Sequence, residues 1–372
     1  MQDDGRDTSR VELLSAMKTD AGTILLTTLW VLVILSTVAL GLAFQARLEL
    51  ATSSFQEDAE KMDMLIQGAL DTARARLDAD RVLEIDACNE PWAIPIRYSS
   101  QNESQSDQRA AKGETIETEC QILDENSKVP INAASAKVIT AILEAEYGAE
   151  VNASELASYI IDWIDGDDTG YGESRQYAHL DPPYSCRNNS MKRIEELVCV
   201  QGVTPWLFFG EDKNCNGVLD PNEDDGDETA PFDNGDGTLQ RGLRDLFTVH
   251  SDGDLNANTV DPSLLETVCS ALFDAAKARD IVTKIVTARS GPDGIFGTAD
   301  DRPFRSVDSI RQTIGASEYR TLSADGIQLV PYSQAFTVIV QARCTPSDVQ
   351  KSARITIVRD RNQSQVLSWQ WS

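Results

Sequence analysis

The residues whose types and spacing most readily do chemistry lie in a run of acids near the middle of the chain. From Glu211 to Asp236 there are ten carboxylates and one lysine. Within this run Asp212, Asn214, Asn216, Gly217 and Glu223 occupy positions one, three, five, six and twelve of the pattern D-x-[DN]-x-[DN]-G-x5-E. That spacing wraps hard oxygen donors around one ion. Asp212, Asn214 and Asn216 offer side-chain oxygens, and Gly217 permits the sharp turn. Val218 offers its carbonyl, Asp220 binds directly or through water, and Glu223 closes the shell with both oxygens. The cofactor expected is calcium. Asp225, Asp227, Asp233 and Asp236 form a second candidate site. A solvated Asp/Asn/Gly loop is the plain alternative for both. Trp206–Phe209 suits the end of an entering helix, whereas Pro221 and the acids after it argue against a normal exiting one. The expectation is a calcium-stapled loop and not a switching hand. A later loop, GPDGIFGTADDRPF, carries Asp293, Asp300 and Asp301 and reads equally well as a cation site or as a tight turn.

Composition restricts the other chemistry. The 372 residues include 60 Asp and Glu against 33 Lys and Arg, a net charge of -27, so phosphate backbones and anionic lipid are repelled. Only two histidines occur, His179 and His250, and no GxSxG motif, which disfavours a hydrolase; we read the chain as not an enzyme. Seven cysteines include no CxxC pair, against a zinc ribbon or a thioredoxin-like motif. In an exported domain up to three disulfides can form. Connectivity stays open; the pairs expected are Cys88 with Cys120 and Cys186 with Cys199.

The elements that must position these residues begin with one long helix. Thr23 to Ala46 contains no charge and is long enough for a bilayer core. It passes without a proline into Leu48, Phe55, Ala59, Met62, Ile66, Ala69, Ala73 and Leu77, a stripe of period near 3.6. A cleaved signal peptide would have a shorter apolar run ending in small residues. Residues 114–123, QAFTVIVQARC, SARITIVRDR and SQVLSWQWS read as strands of an antiparallel sheet, the last at its edge. Between them lies a helical region that repeats its order of elements. Each copy starts at an Asn-containing turn (Asn132, Asn258) expected to cap a helix. A second helix, an Asp/Gly-rich loop, a short helix with an acidic start and a Gly turn (Gly202, Gly315) follow.

Ala21-Gly22 before the apolar run resembles the type IV prepilin signal. The resemblance implies that a prepilin peptidase cuts between Gly22 and Thr23 and that the apolar helix is kept for a filament core. Most such proteins have Glu at the fifth mature position; here it is Thr27. That departure, the strand preceded by Glu90-Pro91-Trp92-Ala93, the helical copies and the closing strands together resemble the type II secretion pseudopilin K family. The fold so implied is α+β. A pilin-like helix packs on an antiparallel sheet, with a duplicated all-α domain (helix-hairpin-helix or SAM-like) inserted in that sheet.

The divisions expected are a leader (1–22), a transmembrane helix (23–46), the pilin-like helix and first strands (47–128), the inserted domain (129–325) and the C-terminal strands (326–372). The two copies within the insert are 129–210 and 254–320. The function implied is a tip subunit that caps the pseudopilus, starts its assembly with pseudopilins I and J and supports export across the outer membrane. The partners are those pseudopilins, the prepilin peptidase and the inner-membrane assembly platform, with no nucleic acid. The anchor crosses the inner membrane once and the soluble domain lies in the periplasm. A head this large would clash with a subunit stacked above it, and a terminal subunit needs no glutamate to pair with the next one. Three rivals remain: a competence-type pseudopilin or helix-hairpin-helix protein binding DNA, which needs a basic face; a membrane-anchored hydrolase; and a calcium-dependent surface adhesin.

Overall fold

The structure is a computed structural model that describes residues 7–80, 82–99, 115–170, 177–212, 219–226, 228, 233, 235–345, 349–360 and 363–371, with backbone alone for 7–22, 360 and 363. Helix α1 (Asp7–Ala79) starts within the leader expected to precede it and continues without a proline break. Its Thr23–Ala79 stretch is long and apolar enough to cross a membrane. Two compact units divide the chain at Asp63. In the first, the apolar side chains from Ile24 to Phe55 are exposed, so Leu48 and Phe55 of the expected stripe face outward. The second unit contains everything from Met64 onward.

In that second unit the rest of the stripe does what its spacing predicts. Ile66, Ala69, Leu70, Ala73 and Leu77 are buried, and each large one contributes roughly 1.5–3 kcal/mol by leaving water. They pack along a five-stranded sheet of order β1-β2-β7-β8-β9, antiparallel throughout. Its strands are β1 (Ile96–Ser99), β2 (Thr115–Asp124), β7 (Ala335–Thr345), β8 (Val349–Asp360) and β9 (Gln363–Trp371). Cys120 of β2 lies buried under the Ala69 carbonyl. Tyr98 of β1 donates to Thr72, and Arg74 reaches the Ser364 carbonyl of β9, so the helix is gripped at both edges of the sheet. The burial in β2 alternates, as it must when one face meets the helix, but Ala335 to Val340 of β7 are all buried. A central strand buried on both faces loses its period of two.

The helical domain is inserted between β2 and β7, which are hydrogen-bonded neighbours. It comprises β3 (Val129–Pro130), α2 (Ala136–Tyr147), α3 (Ala153–Ile164), α4 (Pro205–Phe209), α5 (Leu243–Leu246), β4 (Phe247–Thr248) and β5 (Asp254–Asn256). It continues with α6 (Pro262–Leu272), α7 (Ala275–Arg289), α8 (Val307–Ile314), α9 (Ala316–Ala324) and β6 (Gln328–Val330). A 3-10 turn at Ile194–Cys199 stands where a short helix is expected. One core joins both halves through α2 and α6, with Ile139, Ile142, Leu143, Leu265, Val268 and Ile281 at its centre.

Two expectations are corrected. Asn132 and Asn258 cap no helix: Ser135 precedes α2, and Asp261 caps α6 by accepting from Ser263 and Leu264. Instead each asparagine clamps a distant peptide with both side-chain atoms. Asn132 takes the amide and the carbonyl of Met191 at 2.8 and 2.9 Å. Asn258 takes those of Phe304 at 2.7 and 3.1 Å. An amide side chain has one donor and one acceptor side, and a peptide edge satisfies both. The disulfide pairs are also absent: Cys88, Cys120, Cys186 and Cys199 all carry thiols. Cys120 is sealed between sheet and α1, whereas Cys88 abuts Gly297 of the helical domain. The Cys186 thiol donates to the Asp162 carbonyl at 3.4 Å.

Glu125, at the exit from β2, is buried and accepts from Lys128 at 2.6 Å, Thr337 at 2.6 Å and Thr248 at 2.8 Å. Burial raises its carboxyl, but the Lys128 and Arg354 charges and these hydrogen bonds outweigh it and hold it at about 2. A carboxyl lowered by folding stabilises above its unfolded value of 4.5, and that contribution is lost as pH falls towards 2. Glu125→Gln leaves Lys128 buried without its counter-charge and should cost about 3–5 kcal/mol. Urea unfolding of the chain in detergent, followed by tryptophan fluorescence, should show that loss at pH 7. The variant should also decline less steeply than the parent between pH 5 and 2.

Candidate functional site

The acidic loop is closed at its neck before any acid is reached. Helix α4 ends at Gly210, with φ of +69°, and Gly210 pairs with Arg241 in an antiparallel bridge. A Cβ on Gly210 would stand 2.3 Å from the amide nitrogen of Gly242, and one on Gly242 would stand 2.4 Å from the carbonyl oxygen of Phe208. No side chain fits there, and Gly210 needs the left-handed region as well. Glu211 adds a rung, its carboxylate accepting from the Gln240 amide at 2.9 Å. Arg241 is in turn held by Glu146 of α2, at 3.0 and 3.2 Å to the side chain and 2.9 Å to its amide.

Of the first predicted calcium set, Asp212, Asp220 and Glu223 are described, while Asn214, Asn216 and Val218 lie outside the described residues. The Asp212 carbonyl accepts from Arg244 at 3.2 Å. Glu223 is 1% exposed, and its carboxylate accepts from the Asp220 amide at 3.2 Å, so the ninth and twelfth positions are brought together. Asp220 and Glu223 also wall a groove of about 1220 Å³ over β1, β2, β7 and β8, which Arg97, Arg343 and Lys351 line from the sheet. Glu117 and Glu119 line the same wall, and Glu119 pairs with Arg97 at 2.9 Å, so both signs of charge meet the loop there.

Of the second set, Asp227 lies outside the described residues, and the other three stay within the loop. Asp233 accepts from the amides of Gly226 and Gly235 at 2.8 Å and of Asp225 at 3.1 Å. Asp236 accepts from Thr238. These carboxylates hold the turns of the loop. Asp293, Asp300 and Asp301 do the same in theirs: Asp301 takes the Gly291 and Gly297 amides and Asp300 takes Thr298 and the Asp293 amide.

Among the described residues, three carboxylates converge within 4.8 Å elsewhere: Asp80, just past α1, with Asp86 and Glu90. Such a group could hold a metal ion. Arg359 of β8 already supplies positive charge there, at 2.7 Å to Asp80 and to both oxygens of Asp86. Glu90 is occupied by the Trp92 indole and the Ala87 amide, both at 2.9 Å. Burial pushes the Asp86 carboxyl up to about 7, against the pull of Arg359. The group carries no Asp/Asn/Gly ligand pattern; its only signal is four acids, Glu84 included, within eleven residues after a long helix.

Comparison with known proteins bears on the helical domain and on the whole fold. Residues 120–208 match the family model of the type II secretion system (T2SS), protein K. This stretch is similar to the first part of type II secretion protein K. It runs from β2 through the first half of the insert, the part in which the Asn132 clamp lies. The fold of a chain in the crystal structure of the GspK–GspI–GspJ complex from the enterotoxigenic Escherichia coli type 2 secretion system is similar, with a TM-score of 0.57. The two are 17% identical, and the match covers 86% of this chain and 99% of that one. No curated protein sequence matches this chain.

The neck yields a direct test. Gly242→Ala forces a Cβ into the α4 backbone and should lower stability by about 1–3 kcal/mol. It should also make the 211–240 loop a faster target for limited proteolysis than the rest of the domain. Parent-like digestion would show that the neck does not close the loop.

Proposed function

We propose that this protein is a minor pseudopilin of the type II secretion system, the tip subunit that starts pseudopilus assembly with pseudopilins I and J. The observation that carries the reading is where the helical domain sits. A protein K domain is threaded between two neighbouring strands of a helix-on-sheet body, and that whole arrangement matches a chain of the GspK–GspI–GspJ complex over nearly all of that chain. The apolar helix with Thr27 in place of an acid supports a terminal position, since no subunit above requires a partner for its amine. In this reading the helix is held once across the inner membrane with the domain in the periplasm. Prepilin peptidase cuts between Gly22 and Thr23, and the assembly platform then draws the helix into the filament. Tagged protein should co-purify with pseudopilins I and J, its mature chain should begin at Thr23, and its deletion should stop export of the system's substrates. Failure to recover either pseudopilin from a secreting cell would overturn the reading.

We further read the helical domain as two copies of one unit. Three paired features support this. Each half is bracketed by a short parallel ladder, β3 with β4 and β5 with β6. The asparagine after the first strand of each ladder clamps one peptide edge, at Met191 and Phe304. The Gly202 and Gly315 turns, both at positive φ, lie just before α4 and α9.

Calcium is the ion we assign to the acidic loop, on the full twelve-residue pattern and the closeness of Asp220 to Glu223. Isothermal calorimetry should record calcium binding that Asp212→Ala and Glu223→Ala each weaken at least tenfold. Binding unchanged in both variants would reject these ligands.

A further inference from the structure

The end of α1, the exit from the sheet and the return to it meet on one side chain. Arg359 has 3% of its side chain exposed. One nitrogen, Nη1, donates to Asp80 at the end of α1, and Nη2 donates to Asp86. Nη2 also reaches the carbonyl of Ser333, at 3.4 Å, where the chain returns to the sheet. The guanidinium plane lies over Phe336, 5.1 Å from its centre, and Trp92 meets that ring from an edge.

From Asp86 the network runs on into the insert. Its carboxylate accepts the Ser333 amide at 2.8 Å, its amide donates to the Pro331 carbonyl, and its carbonyl accepts from Asn256 of β5. The Ser333 hydroxyl donates to Asp124, the last residue of β2, at 2.6 Å. Asn256 donates to that same carboxylate and to Ser333. Every member of the chain Arg359–Asp86–Ser333–Asp124–Asn256 is buried. Removal of any one leaves a polar group in the interior without its partner, and such networks fail together.

We propose that Arg359 is a latch that couples the seating of α1 on the sheet to the attachment of the helical domain, so that the two loosen as one unit. Arginine is required because its planar fork serves three acceptors at once, while a lysine ammonium is a single point that cannot span them. The proposal concerns the body of this chain and is independent of its assignment to a secretion machine.

Hydrogen exchange read by mass spectrometry on the full chain in detergent tests it. Arg359→Lys should speed exchange on the order of tenfold in peptides from 66–79 and, by the same factor, in peptides from 124–130 and 328–334. Lys277→Met breaks an ion pair inside the helical domain, at 2.6 Å to Glu318, and should leave both regions as they were. Asp80→Ala removes only the α1 arm and remains informative if Arg359→Lys does not fold. It should still speed exchange at 124–130 and 328–334, which Asp80 does not touch. Faster exchange confined to the helix end, or no change in either region, would overturn the latch.

Discussion

An insert between two hydrogen-bonded strands imposes one constraint on everything around it: its two ends must stay side by side. Asp124 and Phe336 face each other in the β2–β7 register, so the chain leaves and returns at adjacent points. Backbone turns there cannot be left dry and unpaired. The protein meets this with buried polar side chains that serve both crossings at once. Asp124 and Glu125 sit at the exit, Ser333 and Thr337 at the return, and Asn256 and Thr248 come from the insert itself. The sheet keeps its register, and the helical domain keeps its attachment, through the same few hydrogen bonds.

The burial of acids follows from that arrangement. In a chain of net charge -27 most carboxylates face water, but those at the crossings are inside and are paid for by Lys128 and Arg359. The two ends of the response differ in sign. Glu125, with a lysine 2.6 Å away and a second cation near, ionises more readily than in water. Asp86 has an arginine but also Asp124 nearby, and burial prevails.

How far the sequence could be read tracks how local each signal is. Alternation made β2 and the amphipathic part of α1 legible, the three C-terminal strands were legible as short β-branched and aromatic runs, and β9 is at the edge as expected. The two- and three-residue ladders β3–β4 and β5–β6 were not, because strands so short carry no period. Asn132 and Asn258 look like caps when only their own neighbourhood is considered. Their partners lie dozens of residues away, so their true role has no local signature. The loop acids were legible as a ligand pattern, yet many of them also hold backbone turns, a use the same spacing equally permits. The Asp80, Asp86 and Glu90 group was missed because its third dimension is supplied by Arg359, nearly three hundred residues downstream.

The neck at Gly210 and Gly242 has a consequence for how such a protein changes over generations. With its two ends stitched together, the segment between them meets the rest of the fold as a closed ring. Doubling such a ring costs only about 0.6 kcal/mol in closure entropy. Insertions and deletions away from Asp212, Asp220 and the buried Glu223 therefore cost the scaffold little, provided that the two glycines stay. Such a segment can be lengthened, shortened or recharged while the helix-on-sheet body and its buried crossings stay as they are.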